Sequence, residues 1–191
     1  MVGVSEAQAI KVQMNLDLNA IDIDIADIRK ECEKYNDKSR KEPPWVFEAA
    51  VLFIDHKCDK ALDWLEELRD QVNSNMDVFG LYHIPAYNAD ISHKISTLQG
   101  IRVHRDEVER RVNDTCKNWK SEGKSFENPM SWARAIRDEY DRLRKNLQSA
   151  SLPFILAART ALQNVRDGDC DCPLQIRELL QIREKRKQQE Q

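Results

Sequence analysis

PWVFEAAVLFIDHKCDKALDWLEELRDQV, residues 44–72, is the stretch that sets the architecture. Phe47, Val51, Ile54, Cys58, Ala61, Leu65, Leu68 and Val72 follow one another at steps of four and three. That spacing keeps one narrow face of an α-helix apolar from end to end, and only a facing helix hides such a seam from water. The stretch therefore predicts a bundle of long helices.

Upstream, Met14, Leu18, Ile21, Ile25, Ile28, Cys32 and Tyr35 form a second stripe, so a helix is expected from Ser5, its cap, to about Tyr35. Ile21 to Ile25 alternate with aspartates as a strand would, but the alternation loses phase at Asn19 and Ala20 while the helical stripe continues. The polar connector Asn36 to Pro44 is short enough to make these two helices antiparallel neighbours, and Pro43 and Pro44 suit the first turn of the second.

Downstream, Asn73 to Ala89 shows no stable period and contains Gly80 and Pro85, which predicts a long loop. A third helix is expected from Asp90 or Ser92 through Trp119, with a bend or register change near Gly100, where the seam slips and the polar His104 and Arg105 lie beside it. Asn128 as cap and Pro129 in the first turn predict a fourth helix, striped by Ala133, Ile136, Tyr140, Leu143 and Leu147. At Pro153 this helix either kinks or gives way to a fifth that Ser151 caps, continuing through Phe154, Ala157, Ala161 and Val165. A last amphipathic helix should run from Leu174 to about Lys185. The reading is an all-α antiparallel bundle of four long helices plus a shorter C-terminal helix, one domain over residues 1–184, with a polar tail over 185–191.

The formal net charge of −3 is unevenly spread. Residues 1–80 carry −7, residues 81–166 carry +5 and the remainder −1. Attraction between the halves of one bundle accounts for this, and a basic face on helix 4 (Arg134, Arg137, Arg142, Arg144, Lys145) toward nucleic acid or an anionic membrane is the alternative. The odd count of five cysteines and the absence of a leader sequence before Ser5 point to a reducing, intracellular and cytoplasmic setting. The longest apolar run, Phe154 to Ala158, is far too short to span a bilayer.

Catalytic patterns are sparse. The Glu-x-x-His pairs that build dinuclear centres in bundles are missing, and only Asp90 with His93 has a compatible spacing, for which a helix cap is the simpler role. Gly123, Lys124 and Ser125 match just the end of a phosphate-binding loop, since Asn118 stands where its leading glycine belongs. His56 and Cys58, two residues apart on a helix, point to different faces.

One constellation has metal-ligand spacing. Asp167, Asp169 and Asp171 occupy the first, third and fifth positions of a twelve-residue stretch, Leu174 the eighth and Glu178 the twelfth. It resembles the EF-hand calcium loop, and the resemblance implies weak calcium binding by these acids with the Pro173 carbonyl as a further ligand. It departs from the pattern at Cys172, where the sharp turn requires glycine, and an ordinary interhelical turn accounts for the same composition.

With no cofactor motif, the expected function is that of a non-enzymatic interaction protein, an adaptor, scaffold or regulator that binds another protein or a second copy of itself. Asn73 to Ala89 is the expected contact. Met76, Phe79, Leu81, Tyr82, Ile84 and Tyr87 are too apolar for a plain connector, and loops of this length are often functional.

Overall fold

In the computed structural model, which describes residues 3–144, 151–165 and 172–191, the stripes read from the sequence are the buried faces of helices. Of these residues 89% are α-helical and none lies in a strand. The elements are α1 (Val4–Asn36), α2 (Pro44–Ser74), α3 (Met76–Ser121), α4 (Glu127–Leu143), α5 (Ser151–Asn164) and α6 (Leu174–Gln189). Every residue of the α1 stripe is buried, as is every residue of the α2 seam except the half-buried Cys58.

Several boundaries differ from expectation. The long loop is absent: α3 begins at Met76, and its backbone leaves helical angles at Gly80 (φ 72°, ψ 157°) rather than near Gly100. Asn128 is not the cap of α4. The helix begins at Glu127, two residues early, after the buried Phe126, which offers no side-chain cap. Asp90 lies inside α3 and pairs with Lys94 at 3.2 Å. In α5 Ile155, Ala158, Ala161 and Leu162 are buried, as is Val165 just past its end, while Ala157 is exposed. The connection from α4 to α5, including Leu147, lies outside the described residues.

The described chain divides into two compact units. The first, Met1–Glu31 with Lys57–Val103, is three-helical. Tyr87 reaches Asn15 and Lys94 reaches Asp22, so α3 runs parallel to α1. Asn88 meets Asn73 and Ser92 meets Arg69, so α2 runs against α3. Lys94 is the buried charge of this unit. Burial lowers the pKa of its ammonium, but the hydrogen bonds it donates to Asp22 (2.7 Å) and Asp90 together outweigh that and hold it above its ordinary value.

The second unit, Cys32–His56 with His104–Gln191, is organised around the start of α2. Residues 44–54 are all buried, because Trp45, Val46, Phe47, Ala49, Ala50, Val51, Leu52, Phe53 and Ile54 leave no polar face. A seam-only reading of α2 thus understated these first three turns. Trp45 stacks edge-on against Trp119 of α3 and donates its indole N–H to the Leu162 carbonyl of α5 at 2.8 Å. His56, fully buried, meets the Tyr140 ring of α4, and α6 packs on α4 and α5.

The one acid in this apolar stretch, Glu48, is 5% exposed and accepts from Arg137 of α4 at 2.7 Å. Arg137 also bonds Glu109 of α3 at 2.6 Å, Glu109 contacts Arg105, and Arg105 grips Asp55 of α2 through two 2.8 Å bonds. Burial raises the Glu109 carboxyl, but Arg137 and Arg105 outweigh that and its net pKa is lowered.

Arg137→Met should cost about 3 kcal/mol in urea unfolding, since it strands a buried carboxylate, whereas Glu48→Met with Arg137→Met should recover most of that loss. Because Glu109 titrates below its unfolded value of 4.5, its contribution is complete above that pH and disappears as the pH falls beneath it. Wild type should therefore lose stability more steeply below pH 4.5 than Glu109→Gln, which has nothing to titrate there.

Candidate functional site

The contact segment expected from the sequence lies at the α2–α3 junction of the first unit, and it is helical rather than looped. Asn75 alone separates the two helices, its carbonyl accepting from the Val78 and Phe79 amides at 3.0 and 3.1 Å. Its side-chain amide donates to the Gln71 carbonyl, which ties the turn to the end of α2. Five residues after Asn75 the positive φ of Gly80 redirects the chain. An added Cβ there would meet open space, so the constraint is one of backbone angle and not of room.

That redirection sorts the six expected contact residues. Phe79 is buried and packs edge-on against Tyr87 at 5.2 Å. Tyr87, half-buried, donates its hydroxyl to Asn15 of α1 at 3.1 Å, and Ile84 is half-buried as well. Met76, Leu81 and Tyr82 face outward at 55%, 73% and 94% exposure. The junction thus has an inner anchor, Phe79 with Tyr87, and an outer apolar surface of Met76, Leu81 and Tyr82. Two exposed residues that sequence reasoning passed over, Val12 and Leu16 of α1, lie on either side of Asn15. Their signal was a four-residue spacing on the face opposite the buried stripe.

The remaining candidates separate in the structure. Asp167, Asp169 and Asp171 lie outside the described residues. Glu178 is exposed on α6, and the Pro173 carbonyl accepts the Arg177 amide at 2.9 Å. Among the described residues, no three His, Cys, Asp or Glu side chains converge as a metal ion would require. Gly123 and Lys124 form a helix stop: the Gly123 amide bonds the Lys120 carbonyl and the Lys124 amide bonds that of Trp119, with Gly123 at φ 71°. Both amides that a phosphate loop would offer are used there. On α4, Arg137 is held by Glu48 and Glu109, and Arg142 by Glu139. Burial pushes the Cys116 and Cys172 thiols up, away from the reactive thiolate.

Among the described residues, no helix is long and apolar enough to cross a membrane. No known protein family, no curated protein and no solved structure matches the chain.

Phe79→Ala should destabilise the fold by about 3 to 5 kcal/mol, as buried aromatic truncations do, while Tyr82→Ala should leave the melting temperature nearly unchanged. Gly80→Ala should cost about 1 to 3 kcal/mol through backbone angle alone. Thermal and urea melts of the three variants check this ordering.

Proposed function

We propose that this protein is a non-enzymatic interaction module whose contact surface is the α2–α3 junction. The observation that carries the reading is the exposure of Leu81 and Tyr82, 73% and 94%, immediately after a glycine whose backbone angles turn them away from the anchored Phe79. A tyrosine left this open contributes little to folding, and aromatic side chains are among those that dominate binding energy when a partner covers them.

The charge around the junction narrows the partner. Residues 4–17 and 66–90 hold seven acids and two bases. Bonds from Tyr87 to Asn15 and from Asn88 to Asn73 gather these segments at one end of the unit. An apolar centre with an acidic rim favours a partner segment with apolar anchors flanked by lysine or arginine, the rim speeding association more than it strengthens it.

A photocrosslinking side chain placed at the exposed position 83, next to Leu81 and Tyr82, should capture a discrete partner from an extract of the source cells. Leu81→Ser with Tyr82→Ser should abolish capture at an unchanged melting temperature, and the crosslinked segment should be basic. Capture retained by that variant would refute the reading.

A further inference from the structure

We propose that the second unit carries a binding site for a multiply charged phosphate anion, in the cleft between the α1–α2 turn and the end of α3. The cleft has a volume of about 580 Å³, within the usual range of small-molecule sites. Five of its eleven lining residues are cationic (Lys38, Arg40, Lys41, Arg111, Lys124) and two are acidic, Glu42 and Glu122.

The charges do not cancel. Arg40 pairs with Glu42 at 2.8 Å and Lys124 with Glu122 at 3.0 Å, which leaves Lys38, Lys41 and Arg111. Among the described residues no carboxylate pairs with either lysine, and both are exposed at the mouth. Arg111 is different in kind. Its guanidinium donates to the carbonyls of Tyr35, Asp37 (2.6 Å) and Arg40 (2.9 Å) and lies 4.6 Å from the Phe47 ring centroid. Three of its five N–H groups are thereby spent on holding it still, and its positive charge is met by carbonyl dipoles instead of an acid.

The one further carboxylate on the turn is Asp37. It accepts from the Ser39 hydroxyl (2.7 Å) and amide (2.9 Å), and these bonds, followed by the charges of Arg111 and Arg40, keep it ionised below its ordinary value. Even counting Asp37, the cleft retains an excess of two positive charges. A fixed guanidinium with spare donors, two mobile ammonium groups and the neutral donors Thr115 and Asn118 suit clustered phosphate oxygens. A single carboxylate would leave the excess uncompensated.

Such phosphates could come from a soluble polyphosphate or from a phosphoinositide headgroup, and the test has an arm for each. Titration calorimetry of the full chain with pyrophosphate at low salt should show binding that weakens as salt is raised. Lys38→Ala with Lys41→Ala should reduce affinity by about tenfold or more at an unchanged melting temperature, as expected for losing charge-assisted bonds. Lys185→Ala with Lys187→Ala, in the last turns of α6, should leave it intact. Sedimentation with phosphatidylcholine vesicles containing phosphatidylinositol 4,5-bisphosphate then assigns the source: co-sedimentation that depends on Lys38 and Lys41 indicates the lipid, and its absence a free anion. No heat with millimolar pyrophosphate, or binding that the Lys38 and Lys41 changes leave untouched, overturns the proposal.

Discussion

The second unit depends on burying α2 from Pro44 to Ile54 on every side. A helix apolar all round needs neighbours all round, and α3, α4 and α5 supply them through Trp119, Arg137 and the Leu162 carbonyl. The same burial creates the unit's main electrostatic demand. Glu48 lies within the apolar run, where an unpaired carboxylate would be costly, and Arg137 answers it. Arg137 in turn engages Glu109, Glu109 engages Arg105, and Arg105 returns to α2 at Asp55. The polar chain runs from α2 through α4 and α3 and back, fixing helices that hydrophobic burial alone would let slide.

This accounting also changes where charge can act outwardly. Two arginines of α4 are engaged by acids of the unit, Arg137 by Glu48 and Glu109 and Arg142 by Glu139, so part of the basic character of that sequence region goes into cohesion. At the α1–α2 turn, among the described residues, Lys38, Lys41 and an Arg111 anchored by carbonyls bond no carboxylate. In the first unit the asymmetry is reversed. Its acids outnumber its bases around the α2–α3 junction, and apolar side chains are left uncovered among them.

The junction separates folding from recognition within a few residues. Val78 and Phe79 are buried, and Phe79 is tied through Tyr87 to α1, while Leu81 and Tyr82 contribute almost nothing to the interior. Gly80 is what permits the change, because few other residues adopt its backbone angles without strain. Propensity argued for a loop here, since glycine and proline both disfavour helix interiors. Burial of Phe79 and Ile91 and the Tyr87 bond outweighed it, and Pro85 is accommodated inside α3.

The sequence by itself determined the first two helices and their buried faces. The stripe from Met14 to Tyr35 and the seam from Phe47 to Val72 are periodic over many turns, and periodicity is a local property that water enforces wherever the chain folds. It also named the apolar junction as unusual. Which of those side chains would be anchored and which exposed was decided by tertiary structure. The choice turns on one positive φ at Gly80 and one hydrogen bond to Asn15, a residue 72 positions away. The ion network and the basic cleft were illegible for the same reason: Glu48, Glu109 and Arg137, like Lys38 and Lys124, meet only because helices distant in sequence pack together. No spacing along the chain records which charges will be neutralised by that packing and which will be left over.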